Sequence, residues 1–116
     1  MNRAARERQG RRAETWAAWW LRLHGWRILE QRLRTPVGEI DILARRGRVV
    51  ACIEVKYRET VIELDHAIDR ARLRRVAAAA GLICDRHLGP QDELRIDVIL
   101  ISPWNRPRHL VNVWHG

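Results

Sequence analysis

Apolar positions recur first at spacings of three and four, then at every second residue, and this change of period orders the chain. From about Gly10 to His24, Ala13, Trp16, Ala17, Trp20 and Leu23 form one apolar stripe, which predicts an amphipathic helix. Gly25 is placed to stop it. Residues 26–34 then read as a strand, broken by Thr35-Pro36. Residues 37–44 and 48–57 read as two more strands, turning at Arg46-Gly47. A second helix is expected from about Asp65 to Ala80, burying Ile68, Ala71, Val76, Ala79 and Ile83, and Gly89-Pro90 closes that segment. Strands follow at 93–101 and 108–114. The order α-β-β-β-α-β-β predicts an α+β domain with a mixed central sheet flanked by helices. Residues 1–9 read as a loose basic arm, and 10–116 as one domain.

Composition sharpens this. At 116 residues and 47% apolar, the chain suits one core and argues against disorder. Tryptophan carries the aromatic packing, with six Trp and no Phe. A net charge of +8 and a pI near 11.2 favour a polyanionic partner. Cys52 and Cys84 have neither zinc nor disulfide-framework spacing, and Cys52 reads as a buried thiol. No window approaches a membrane span and no leader is recognisable, so the expectation is a cytoplasmic protein without membrane contact. The five histidines show no metal or triad spacing.

One stretch does not fit a plain core. In G-E-I-D-I-L-A and V-V-A-C-I-E-V-K, four charged residues interrupt apolar strands: Glu39, Asp41, Glu54 and Lys56. Strand alternation puts these four on one face, with Ile40, Ile42, Ile53 and Val55 on the other. A turn at Arg46-Gly47 pairs Arg45 with Arg48, so Asp41 faces Cys52 and Glu39 faces Glu54. Asp41 and Glu54 become diagonal neighbours about 7 Å apart, within reach of one metal ion at ~2.0–2.1 Å. Clustered carboxylates repel, and a divalent cation relieves that. Among 22 lysines and arginines, Lys56 is the one lysine. A compact ammonium suits a place beside such a site in a way that a guanidinium fork does not. The plainer reading is a solvent-facing hairpin with a Glu-Lys pair, but the apolar runs look buried on both sides.

G-E-I-D at 38–41 with E-V-K at 54–56 resembles the PD-(D/E)xK nuclease signature. With Glu14 on the first helix and R-I-D-V at 95–98, the chain from about Gly10 to Trp114 resembles the YraN-type bacterial family. That family is similar to archaeal Holliday-junction resolvases. The resemblance implies a restriction-endonuclease-like core and a metal-dependent endonuclease acting on DNA, including branched DNA. It implies Mg²⁺ or Mn²⁺ held by Asp41, Glu54 and the Val55 carbonyl. Lys56 would be the catalytic lysine, Glu14 a ligand or water-holder, and Glu39 a further member of the motif. By analogy with resolvases it implies a homodimer. The chain departs from the family pattern at Tyr57, where a threonine is usual, and at Arg72-Leu73, where lysine-glutamine is usual.

Arg70, Arg72, Arg74 and Arg75 on the second helix, and Arg45, Arg46 and Arg48 at the hairpin turn, are candidates for phosphate contact. Taken alone they also read as solvated surface. Glu14 alone reads as a surface acid, Trp19 as core edge or a stacking surface, and Arg95/Asp97 as an ion pair. A nucleic-acid-binding module that does not cleave, and a scaffold with a basic surface, are the alternative readings.

Overall fold

The structure, a computed structural model, describes residues 2–59 and 69–114, less the side chains of 84 and 85. The expected helix start at Asp65, with His66 and Ile68, lies outside the described residues, as does His115.

Helix α1 spans Arg3–Leu23. It begins seven residues earlier than its apolar stripe suggests, so the expected loose arm is its first two turns. The Asn2 side chain caps it by accepting from the Ala5 N–H at 2.8 Å. Its C-terminus is a Schellman motif. Trp26 N–H donates to Leu21 O, Gly25 N–H donates to Arg22 O, and Gly25 sits at φ +87°. The buried stripe is rotated from the expected one. Ala13, Ala17, Ala18 and Leu21 face the sheet, while Trp16 and Leu23 are exposed. Alanines let the helix lie close, and the bulky indoles are left to its flanks.

Strands β1 (Arg27–Thr35), β2 (Gly38–Arg46), β3 (Val49–Tyr57), β4 (Glu93–Ile101) and β5 (Arg108–Leu110) form one sheet in that order. The β3/β4 pair is parallel and the others are antiparallel. Helix α2 (Arg70–His87) lies between β3 and β4 in the chain. The α+β mixed sheet flanked by helices is therefore as expected. Helix α1 covers one face over Ile42, Ala44, Ala51, Ile53 and Ile99. Helix α2 covers the other with Leu73, Val76, Ala79, Ala80 and Ile83, over Leu43, Cys52 and Val98. Ala71 is exposed, contrary to expectation. It lies five residues before Val76, about 140° round the helix at 3.6 residues per turn, and Leu73 takes the buried place. The last strand is shorter than its apolar run because Asn112 turns to φ +53°.

The hairpin turn is one residue later than expected. Arg46 pairs with Val49 across Gly47-Arg48, and Gly47 takes φ +61° at the first turn position, as a II′ turn requires. Ile42 then faces Ile53 and Leu43 faces Cys52. The register slips by two residues from the expected one. An even slip preserves the face of each side chain along the ladder, so Asp41 and Glu54 stay neighbours. Ile40 and Ile42, expected on one face, pack on opposite faces, so alternation no longer carries Glu39 to the face of Glu54.

Candidate active site

The β2/β3 ladder runs from Arg46↔Val49 to Ile42↔Ile53 and ends there. The next position in that register sets Asp41 opposite Glu54, rather than diagonal to it. Beyond it, the Val55 N–H donates to Asp41 Oδ2 at 2.9 Å. A side chain thus occupies a backbone donor, and the strands separate at the acid pair. Ile40 does not join Ile42, as alternation predicts. It packs in the cluster under α2, whereas Ile42 packs under α1.

Asp41 is 5% exposed and Glu54 1%. Burial, then the charge of Glu54, raises the Asp41 pKa to about 7, and the Val55 N–H offsets only part of this. The Lys56 ammonium lies 3.1 Å from Glu54 Oε1, and the Arg72 guanidinium also contacts that oxygen. Yet neither Glu54 oxygen has a well-directed hydrogen bond. Two buried carboxylates, one destabilised as an anion and the other incompletely satisfied, form a donor set that suits a hard divalent cation. Among the described residues no three His, Cys, Asp or Glu side chains gather as a metal cluster. Mg²⁺ asks for no more, because it commonly binds one or two carboxylates and keeps waters or substrate phosphates as its other ligands.

The other motif residues stand around this pair. Glu14 accepts from Arg32 Nε at 2.9 Å, and its charge adds to the upward push on Asp41. Arg32 reaches it from a left-handed position in β1, φ +54°. Glu39 is exposed on a rim, lining one hollow with Arg72 and Arg75 and another with Glu14 and Arg34. Gly38 passes so close to α2 that a Cβ there would sit 2.5 Å from the Arg75 carbonyl. This approach holds the α2 arginines over the start of β2.

The arginine candidates divide. Arg72 is drawn into the acid pair. Arg74 and Arg75 are exposed, and Arg70 lies over the Trp114 ring at 5.1 Å. At the hairpin, Arg48 is exposed and Arg46 stacks on Trp26 at 4.6 Å. Arg45 is bound inward, donating to Asp92 Oδ2 and to the His87 carbonyl, each at 2.8 Å.

Two features escaped sequence reasoning. Arg72 engages Glu54 only because α2 is laid over the sheet, and no local pattern signals that. The Arg95/Asp97 pair is expected, but it is part of a larger knot. Asp97 is 0% exposed and accepts from Arg95 twice, from His109 Nε2 at 2.7 Å and from the Asn112 N–H at 2.9 Å. Burial would raise its pKa, but these hydrogen bonds outweigh it and hold the carboxyl below its ordinary value. The R-I-D-V run shows only Arg95; His109 comes from the neighbouring β5 and Asn112 from just beyond it.

Residues 13–101 match the uncharacterised protein family UPF0102, and the chain belongs to that family. A UPF0102 protein of Sphingopyxis alaskensis is 64% identical over 98% of both chains. One from Rhizorhabdus wittichii is 58% identical over 98% of this chain and 97% of its own. One from Caulobacter vibrioides is 44% identical over 97% of this chain and 90% of its own. In fold the chain is similar to Archaeoglobus fulgidus Hjc, a Holliday junction resolvase. The TM-score is 0.62 at 20% identity, covering 86% of this chain and 73% of that one.

Proposed function

We propose that this member of family UPF0102 is a divalent-metal-dependent endonuclease that hydrolyses DNA phosphodiesters, branched DNA among them. One observation carries the reading: two buried carboxylates, Asp41 and Glu54, meet where β2 and β3 part, with the chain's only lysine beside them. Asp41 and Glu54, with the Val55 carbonyl, are the residues that would hold Mg²⁺ or Mn²⁺. Bound there, the ion would supply Lewis-acid activation of a water and neutralise charge at the scissile phosphate. Lys56 donates to whatever anion stands before Glu54, a phosphate oxygen or a developing charge. Arg72 is the counter-ion of Glu54 in the metal-free arrangement. Exposed Arg46, Arg48, Arg70, Arg74 and Arg75 supply phosphate contacts, with Glu14 and Glu39 at the rim. Arg45, committed to Asp92, positions the hairpin instead.

The resolvase-like fold supports DNA as the partner and two-strand cutting by a homodimer. Among the described residues no helix is long and apolar enough to cross a membrane. A DNA-binding module without cleavage is favoured by one observation, the Arg72–Glu54 contact that already neutralises one acid. A cleavage assay on branched, single-stranded and duplex DNA, with and without Mg²⁺ or Mn²⁺, separates the two. The nuclease reading expects metal-dependent cutting that Glu54→Gln abolishes and Lys56→Arg sharply slows. Tight binding without cutting of any substrate would replace it with the binding module.

A further inference from the structure

Beside the acid pair the surface is hollowed into a row of three cavities. The first, about 270 Å³, lies against Lys56 and Arg72 and includes Gln9, Tyr57 and Arg58. The second, about 300 Å³, shares Gln9 and Tyr57 with it and continues past Arg12 to Trp16. The third, about 750 Å³, shares Trp16 and Ser102 with the second and ends among Trp20, His24, Trp104 and Arg106. Shared lining residues set the three side by side as a track, from the chemistry to the far end of α1.

The lining is selective. Among the described residues six cations line the track, Arg6, Arg12, Lys56, Arg58, Arg72 and Arg106, and none of the described carboxylates lines its three cavities. By contrast, the hollow on the other side of α1 mixes Glu7, Glu14 and Glu39 with its arginines. Aromatic rings are spaced along the same track. Trp16 is 48% exposed and Trp104 is 100% exposed. Trp20 stacks on His24 at 4.0 Å, closing one wall. Trp104 is not there by default. It sits at φ +68° in the β4–β5 turn, and Asn105 Nδ2 pins that turn to Ser102 Oγ and the Pro103 carbonyl, each at 3.1 Å. Held there, the ring offers an open aromatic face to a partner.

Lys56 and Arg72 are paired with Glu54, but the remaining arginines, interleaved with open aromatic faces, match a single strand of DNA, whose phosphates need the first and whose bases need the second. We propose that this track binds the unpaired strand leaving the acid pair, with bases stacked on Trp104 and Trp16 and phosphates on Arg12, Arg58 and Arg106. The proposal rests on the DNA-cleaving reading of the acid pair and adds to it the strand that the enzyme grips beyond the cut.

The test is fluorescence titration of the whole chain with an oligo(dT), a duplex of equal length, and an oligo in which abasic residues replace the thymidines. The expected result is that Trp104→Ala and Trp16→Ala each weaken oligo(dT) binding about tenfold, the lower part of the range for one lost base stack. Neither should change duplex or abasic binding, and unaltered duplex affinity also certifies that the variants fold. Arg106→Ala should weaken oligo(dT) and abasic strands alike. Unchanged oligo(dT) affinity in both tryptophan variants overturns the track. A parent protein that binds duplex but not oligo(dT) also overturns it and leaves the nuclease reading standing. A parent that binds no DNA removes both.

Discussion

Replacing Asp41 by asparagine should stabilise the metal-free protein, and by an amount that depends on pH. A carboxyl whose pKa rises from 3.8 to about 7 on folding costs the folded state at most about 4 kcal/mol at pH 8, at 1.36 kcal/mol per pKa unit. The folded state holds the proton more tightly than the unfolded chain does. The cost is therefore complete above pH 7, shrinks as pH falls from 7 toward 4, and is absent below the unfolded value. Asparagine carries no such charge and still offers Oδ1 to the Val55 N–H, which Asp41 holds at 2.9 Å. Its removal leaves Glu54 with Lys56 and Arg72, an excess of one positive charge that returns part of the gain. We expect Asp41→Asn to be about 1–4 kcal/mol more stable at pH 8 in chelator-containing buffer, by urea unfolding, with the gap closing near pH 4. For a domain of this size the gap is at least several degrees in Tm. Equal stability at both pH values, or a variant that is less stable at pH 8, would make Asp41 a structural residue.

Three further outcomes are expected. Asp97→Asn should cost about 3–5 kcal/mol in urea unfolding, because it leaves Arg95 and His109 around a buried site without their anion. The depressed Asp97 pKa contributes stability that is present above the unfolded value and lost as pH falls through the folded one, so the parent's acid limb should be shallower in this variant. Gly38→Ala should destabilise by about 1–3 kcal/mol through the clash with the Arg75 carbonyl, measured by thermal unfolding. Cys52, buried and with its thiol pushed to about 12, should resist iodoacetamide in the folded protein and react only on unfolding, as mass spectrometry would read.

Which parts were legible follows from what alternation and periodicity encode. Parity along a strand is local, so Asp41 and Glu54 could be put on one face even with the turn misplaced by one residue. Gly47 marks the turn, but its place within the two-residue loop depends on whether the first or both positions take φ > 0, which one glycine does not specify. The rotation of α1 was hidden because Trp16 and Trp20 outweigh Ala17 and Ala18 in any hydrophobic count. Close packing against a sheet nevertheless selects the small side chains. The N-terminal turns carry no apolar signal because their residues are mostly basic and polar. Their helix rests on the Asn2 cap and an exposed Arg3–Glu7 pair at 3.4 Å, not on an apolar face. Arg72 on Glu54, His109 on Asp97 and Arg45 on Asp92 join residues far apart in the chain. The partner in each case is set by how layers and strands stack, which no single stretch of sequence states.

Whether Asp41 and Glu54 form a divalent-cation site is decided by calorimetric titration of the chain with Mn²⁺ at pH 6.5 in two buffers of different ionisation enthalpy. With its pKa near 7, Asp41 is largely protonated at that pH, so binding must expel its proton. The expected result is saturable binding with roughly half a proton or more released per ion, falling toward none at pH 8.5, and no binding by Asp41→Asn or Glu54→Gln. Absence of binding by the parent, or binding that survives both substitutions, would contradict it.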